Sequence, residues 1–541
     1  MLIHRRFSTI CSRWLIVCLL ICLCETAVAA GVDVKSREIA IALSTEPPSL
    51  NSVKATDAES FRIIDHISEG LMTYDMNNQL TGGVAERWEL TNEGATFWLR
   101  PDALWEDGRP VTAHDFVFAW RQVVTPSNAA EYAFLLYPIR NAEQINSGDM
   151  PPESLGAYAL DDRTLKVDFV QPCGYFLQLT AFISYRPIRQ DFYQHHGERF
   201  AADAQHLLSN GPFKLTQWVH GANLRMERNP QYWNTEAVEL NAINVPYITA
   251  EPSAIFNLFK DGKLAISGLD DSSTREALKS RMKIKKFFDG TLFFLEFNHR
   301  PDRLTRNRHL RKAMQLAFDV DTFVARIIRL PGNAPGLSLF PSWLRGVEKT
   351  FWEEYPPTLI TPNEAQARHH LELARQELGL AEIPPLVLLL GDSPTAAKQA
   401  EYIQDLFRRV LGLEIKLDKQ IFKQRLAKMT AGDFDIVAAG WGPDYDDTMT
   451  FADLMASWNL NNRGRFNDPE YDRLVRLAQS TSDPVIRNQA FADMQNIIID
   501  DAILIPQYER GRVYVQDARL TNVVRRIFGG DPIYTFSRIK D

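Results

Sequence analysis

The chain has 541 residues, of which 45% are hydrophobic and 24% charged, with 28 Gly and 29 Pro. These values are ordinary for a globular protein and exclude collagen-like, low-complexity and wholly disordered chains. A formal net charge of -8 argues against a nucleic-acid-binding protein, and five Cys are too few for a disulfide scaffold.

The first 29 residues have the layout of a secretory signal peptide. A basic segment ending at Arg13 precedes the uncharged apolar stretch 14–24, and Ala27-Val-Ala29 fits the small-x-small cleavage pattern. The apolar stretch is too short for a membrane span, which needs about 17–25 residues. Cys22 and Cys24 do not follow the small residue that a lipoprotein signal requires. We therefore expect export with cleavage near Ala29 and no lipid anchor.

The rest of the chain predicts a soluble protein that is stabilised by its core. Cys173 is the only cysteine after the signal peptide, so it cannot form an intramolecular bridge. No ligand-like spacing surrounds it, and we expect a small buried hydrophobe. No later apolar run reaches 18 residues, which predicts that the mature protein has no transmembrane segment.

The predicted elements mix strands and helices, with no repeat or linker that marks a boundary. Apolar alternation or continuity predicts strands at 38–43, 96–100, 166–170 and 292–297. Thr112 and Asp115 have the spacing of a capping box before an apolar helical pattern.

The segment 361–447 has the clearest architecture. Thr361, Pro362 and Glu364 predict the N-cap, N1 and N3 positions of a helix that ends at Gly379. Strands are predicted at 385–390, 413–417 and 434–439, with helices at 395–411 and 420–430 between them. This alternation predicts an α/β layer fold, in which ligands gather beyond the carboxyl ends of strands. The loop 440–447 follows the last of these strands and is the first place to look for a site.

The common catalytic and nucleotide-binding motifs are missing from the sequence. The pairs His195-His196 and His369-His370 are adjacent, and adjacent side chains diverge, so we expect no metal site there. The acidic residues of the loop 440–447 resemble half of a calcium loop, but Met455 stands where that motif needs a bidentate Glu. Paired carboxylates for glycoside hydrolysis need not be neighbours in sequence, so an exported hydrolase stays an alternative.

An ordered set of short segments runs through nearly the whole chain after residue 29. Its members are Thr45-Glu-Pro-Pro-Ser-Leu-Asn51, Glu69-Gly-Leu71, Ala85-Glu-Arg-Trp88, Phe97-Trp-Leu-Arg100, Trp105-Glu-Asp-Gly108, Val111-Thr-Ala-His-Asp-Phe116, Asn210-Gly-Pro-Phe213, Arg228-Asn-Pro-Gln-Tyr-Trp233, Arg311-Lys-Ala313, Gly440-Trp441 and Asp468-Pro-Glu-Tyr-Asp472. In this order they resemble the oligopeptide- and dipeptide-binding proteins of bacterial ABC importers.

The resemblance implies a periplasmic-binding-protein-like α/β fold, with two lobes around a ligand cleft and an inserted extra lobe. After the signal peptide at 1–29, lobe I would comprise 30–75, 209–290 and 514–541, lobe II 76–208, and lobe III 291–513. Asn210-Gly211-Pro212 would lie near a crossover between lobes. Proteins of this family are not enzymes, because they close around a solute and deliver it to a membrane permease.

The resemblance also implies a set of ligand contacts. Asp444 matches the family's carboxylate for the peptide amino terminus, and a buried ammonium group needs such a counter-charge. The other candidates are Gly440, Trp441, Gly442, Tyr445, Phe422, Tyr132, Thr56 and Asp57. The alternative role for Asp444 is capping of its own loop, and the alternative for Trp441 is core packing.

One departure leaves recognition of the far end of the ligand, and the ligand's length, open. Met429 and Ala438 stand where related oligopeptide binders carry arginines that can meet peptide carboxylates. Arg463 and Arg465 lie downstream, and the sequence does not show whether they face the cleft.

We therefore expect a monomeric periplasmic receptor, without a cofactor, metal or nucleic-acid partner. It would capture a peptide or another small amine-bearing ligand and pass it to ABC permease subunits in the inner membrane. A murein peptide, a metal complex or haem is the alternative ligand class. An exported hydrolase and a holdase for unfolded chains are the alternative kinds of protein.

Overall fold

The computed structural model describes residues 30–481 and 483–541, so the predicted signal peptide at 1–29 lies outside the described residues. Sheets of five, four and seven strands carry the architecture, together with two separate strand pairs. A large hydrophobic cluster connects residues from near both ends of the described chain, and a second one fills the region around 295–415. The expected α/β class is confirmed.

The five-stranded sheet combines the start of the described chain with its middle. Its strand order is Val32–Asp33, Glu38–Leu43, Ala242–Ile248, Asn223–Arg228 and Phe213–Val219. Glu38–Leu43 runs parallel to Ala242–Ile248 and has the bounds predicted from its apolar alternation. Helix Ala58–Ile67 packs on the Phe213–Val219 strand, which places its amino terminus beside the cavity described below.

The four-stranded sheet is antiparallel throughout. Its order is Ala85–Leu90, Gly94–Leu99, Thr164–Asp168 and Ala157–Asp161. The strands predicted at 96–100 and 166–170 are present, but both begin two residues earlier. The predicted capping box is confirmed, since the Thr112 backbone amide donates to the Asp115 carboxylate over 2.8 Å at the start of helix Ala113–Val124. Cys173 is buried, as expected.

The seven-stranded sheet contains the predicted alternation of helices and strands. Its order is Ile266–Gly268, Leu504–Gln516, Lys285–Phe297, Ile436–Trp441, Leu386–Gly391 and Ile415–Gln420, and Ala334–Pro335 also pairs with Leu504–Gln516. The helices between the last three strands in sequence are Pro394–Leu411 and Phe422–Ala431. Leu386–Gly391 is parallel to both of its neighbours, as an α/β layer requires.

One predicted helix start is wrong. Helix Glu364–Leu378 is capped by Asn363, whose side chain accepts from the Gln366 amide over 3.0 Å, and not by Thr361. Pro362 therefore lies before the helix instead of at its first position. The predicted end at Gly379 is confirmed, with φ of 66° at this residue.

Two long antiparallel strands, Lys285–Phe297 and Leu504–Gln516, join the two parts of the cleft, and we call them the hinge strands. One end of the pair contacts Ile266–Gly268, and the other end contacts Ile436–Trp441. Their register shifts between residues 288 and 292, where Gly290 has φ of 75°. The predicted lobe boundaries at 290/291 and 513/514 fall inside these strands.

The remaining helices of seven or more residues are Gln190–His196, Pro252–Lys260, Asp271–Lys279, Arg308–Ala317, Pro469–Ser480 and Pro484–Asp500. The two small strand pairs are Met72–Tyr74 with Leu80–Gly82 and Leu520–Thr521 with Arg538–Ile539. Within residues 30–481 and 483–541, no helix has the combination of length and apolar character that a bilayer crossing demands.

Candidate ligand-binding site

A cavity of about 260 Å³, which we call the cleft cavity, is bordered by residues from all three predicted lobes. Eight of the nine predicted contact residues line it: Thr56, Asp57, Tyr132, Phe422, Gly440, Trp441, Gly442 and Asp444. A second cavity of about 460 Å³ shares four lining residues with it, Arg62, Phe293, Arg510 and Arg512. The two cavities therefore adjoin within one cleft.

Asp444 is a buried acid at the wall of the cleft cavity, with 7% of its surface exposed. Its carboxylate accepts a hydrogen bond from the Tyr132 hydroxyl over 2.9 Å. Burial raises the pKa of Asp444 to about 8, and the Tyr132 hydrogen bond offsets part of this rise. Among the described residues no lysine, arginine or histidine nitrogen lies within 4.0 Å of this carboxylate. The site thus holds an acid that lacks a cationic partner.

The loop 440–447 is fixed by hydrogen bonds on both sides of Asp444. The Asp444 amide donates to the Thr450 hydroxyl over 2.9 Å, and the Trp441 indole donates to the Thr450 carbonyl over 2.8 Å. The Gly529 amide donates to the Pro443 carbonyl over 3.1 Å. Because the backbone is held at these points, the Asp444 side chain keeps its direction toward the cavity.

The other acidic residues of this loop face away from the cleft cavity. Asp447 forms a two-pronged ion pair with Arg487, at 2.8 and 2.5 Å. Asp446 and Asp447 border a separate cavity of about 1070 Å³. Within the described part of the chain, no three His, Cys, Asp or Glu side chains are grouped as a metal site would require.

Aromatic side chains form one wall of the cleft cavity. The rings of Tyr132 and Trp441 lie 6.4 Å apart, and Phe182 packs edge-on against Tyr132 at 5.1 Å. Tyr445 is the one predicted contact that does not line this cavity. It points beneath the loop, where its ring stacks on Tyr175 at 6.0 Å. The chain direction reverses the side-chain orientation between residues 444 and 445, which places Tyr445 in the core.

The predicted contacts near residue 57 are partly engaged in local structure. Asp57 caps helix Ala58–Ile67, and its carboxylate accepts from the Ser60 amide over 2.9 Å and the Ser60 hydroxyl over 2.7 Å. Burial raises its pKa to about 6. Thr56 is half-buried and borders the cavity. This edge therefore offers a hydroxyl and the backbone, while the acid stabilises the helix.

The cleft also contains charged groups that the sequence did not place there. Arg463 borders the cavity and pairs with Glu131 over 2.5 Å, which joins predicted lobes II and III. Arg510 and Arg512 both contact the buried Asp289, the former over 2.7 Å. These three residues meet through the register of the hinge strands, and no sequence pattern gives that register.

Two further positions concern the far end of the ligand. Met429 lines the cavity, whereas Arg465 does not. Arg425 lines it and was missed, and it donates to the Ala438 carbonyl over 3.2 Å. The signal was present, because Arg425 and Met429 are four residues apart in a predicted helix and therefore share a face.

The model of the family described as "Bacterial extracellular solute-binding proteins, family 5 Middle" matches residues 79–462. Oligopeptide-binding protein OppA of Bacillus subtilis is 29% identical over 499 residues, which cover 90% of this chain and 89% of that protein. The substrate-binding domain of an oligopeptide ABC transporter from Bacillus anthracis superposes with a TM-score of 0.88 at 30% identity, covering 94% of this chain and 99% of that one. Listeria monocytogenes OppA bound to peptide gives 0.87 at 28% identity, with the same coverage. The chain therefore belongs to the family 5 bacterial extracellular solute-binding proteins.

Proposed function

We propose that this protein captures peptides in the cleft between its lobes and delivers them to the permease of an ABC importer. The observation that carries the proposal is the buried Asp444 at the wall of the cleft cavity, with no cation beside it. Two of the proteins that it resembles are named as oligopeptide-binding, and one was solved with a peptide bound.

A peptide fits this arrangement because its amino terminus supplies the missing charge. A buried carboxylate without a partner is costly, and an ammonium group within hydrogen-bond distance offsets that cost. Asp444 then exchanges the Tyr132 hydroxyl, at 2.9 Å, for a stronger charge-assisted partner or shares the two. We infer that Trp441 and Phe422 bound the space for the ligand's side chains, and that the edge at Thr56 meets its backbone.

Contacts between lobes explain how the cleft would close over a ligand. The Tyr132–Asp444 hydrogen bond and the Glu131–Arg463 ion pair both join predicted lobes II and III. The hinge strands are the connections through which the lobes would move apart to admit the ligand. We further propose that the protein is exported with cleavage near Ala29 and acts as a monomer in the periplasm.

A thermal-shift screen tests the proposed function. Pools of peptides of two, three, four and five residues are added separately to the protein, with an amino-acid mixture as the control. Binding to the folded state raises the melting temperature by mass action, with about 2.7 kcal/mol at a ligand concentration 100 times Kd. Mass spectrometry should then recover the bound peptide intact. No shift with any pool would contradict peptide capture, and recovery of cleaved peptide would indicate a hydrolase.

A further inference from the structure

The arginines that border the cleft cavity differ in how their charge is balanced. Four of them have a carboxylate within 4.0 Å: Arg62 with Glu59, Arg463 with Glu131, and both Arg510 and Arg512 with Asp289. Arg526 donates to the Asn78 side chain over 3.0 Å and to the Tyr74 carbonyl over 3.4 Å. Arg425 has the fewest partners of the six.

Arg425 carries a positive charge that the described residues do not neutralise. Its one hydrogen bond goes to the Ala438 carbonyl over 3.2 Å, and its Nε is fully enclosed without an acceptor. Asp392 is the nearest contributing acid, but it is exposed and lies beyond ion-pair distance. Burial lowers the pKa of Arg425. An enclosed guanidinium without a counter-ion is unfavourable, so this side chain is ready to accept an anion.

The position of Arg425 relates it to the departure found in the sequence. It lies one helical turn before Met429 and contacts the carbonyl of Ala438. These are the two positions at which related oligopeptide binders carry arginines. Phe422, at the start of the same helix, packs against the guanidinium at 5.2 Å and keeps it at the cavity wall.

The strand Ile436–Trp441 gives a scale for the separation of the two ends. At about 3.3 Å per residue, Ala438 and Trp441 lie about 10 Å apart along it. Asp444 follows beyond Trp441, and Arg425 binds at Ala438. An acid and an unneutralised guanidinium thus flank the cavity at a spacing that an extended peptide of about three to four residues bridges.

We propose that Arg425 binds a carboxylate of the captured peptide, at the end of the cleft cavity opposite to Asp444. The inference rests on the proposed function, and it names the ligand as a short peptide with an acidic group at that end. The carboxylate is either the carboxyl terminus or an acidic side chain, and the experiment separates these sources.

The test uses calorimetry with defined-length peptide pools on the full mature protein and on two variants. Arg425→Met removes the charge and retains most of the packing. Lys423→Met is the matched control, because it removes an exposed cation from the same helix. Three forms of each tripeptide and tetrapeptide pool are compared: free, with an amidated carboxyl terminus, and with every Asp and Glu replaced by Asn and Gln.

A charge-assisted contact predicts a loss of about 10- to 100-fold in affinity when the partner carboxylate is removed. The unaltered protein and Lys423→Met should show this loss with one modified pool, and Arg425→Met should bind that pool and the free pool equally. Loss with the amidated pool identifies the terminus, and loss with the Asn/Gln pool identifies a side chain. If Arg425→Met keeps the discrimination of the unaltered protein, the inference is wrong although peptide capture stands. If no pool binds the unaltered protein, the proposed function itself falls.

Discussion

Replacement of Asp444 by Asn should stabilise the ligand-free protein and weaken its ligand binding. The exchange is nearly isosteric, and the side-chain oxygen of the introduced asparagine can still accept from the Tyr132 hydroxyl, which lies 2.9 Å from the acid. What it removes is a carboxyl group that is difficult to ionise in the folded state, because burial raises its pKa from 3.8 to about 8.

The magnitude follows from the linkage between protonation and folding. Between pH 4 and 8 the folded state keeps a proton on Asp444 that the unfolded chain has released. Rising pH therefore lowers the free energy of unfolding through this window, by up to about 1.4 kcal/mol per pH unit. At pH 7 the upper limit is about 4 kcal/mol. Asn retains the cost of burying an amide, so we expect the variant to gain about 1–3 kcal/mol.

Thermal and urea denaturation of both proteins at pH 4, 5.5, 7 and 8 measure this effect. The stability difference in favour of Asp444→Asn should be close to zero at pH 4 and grow toward pH 8. Other buried acids, such as Glu296 with its pKa raised to about 7, are common to both proteins and cancel in the difference. A variant that is less stable at pH 7, or a difference that is constant across the series, would refute the reasoning.

Three further substitutions test other parts of the site. Tyr132→Phe removes the hydrogen bond that lowers the pKa of Asp444, so the pH at which peptide affinity is half-maximal should move upward in calorimetry; an unchanged midpoint would contradict this role. Glu131→Gln breaks the interlobe ion pair with Arg463 and should weaken all peptides alike, by about 10-fold or more, whereas an effect on some peptides alone would argue against a closure contact. Gly211→Ala places a Cβ 2.6 Å from the Ser68 amide nitrogen and should cost about 1–3 kcal/mol in urea denaturation; an unchanged urea midpoint would show that the backbone relaxes there.

The elements that could be predicted are those with a strong local pattern. The strand Glu38–Leu43 has the predicted bounds, because polar or turn-forming residues follow it directly. Helix Ala113–Val124 begins at its predicted capping box, since that motif is contained within four residues. The start at Glu364 was missed because Thr361 and Asn363 are both good caps, and only the packed structure selects between them.

The site was predictable where the resemblance carried it and not where long-range pairing decides. The geometry places Asp444 at the cavity wall, but its Tyr132 partner lies 312 residues away. The cluster of Asp289 with Arg510 and Arg512 depends on strand register between segments more than 200 residues apart. Such contacts leave no periodic signal, so residue type alone could not assign them to the cleft.

The central claim is that Asp444 receives the ligand's positively charged amino group. Calorimetry of one peptide from the thermal-shift screen, with its amino terminus free and then acetylated, measures this directly. The account predicts that acetylation weakens binding to the unaltered protein by about 2–5 kcal/mol, and that Asp444→Asn binds both forms with similar, low affinity. Equal affinity of the unaltered protein for the free and acetylated peptides would contradict it.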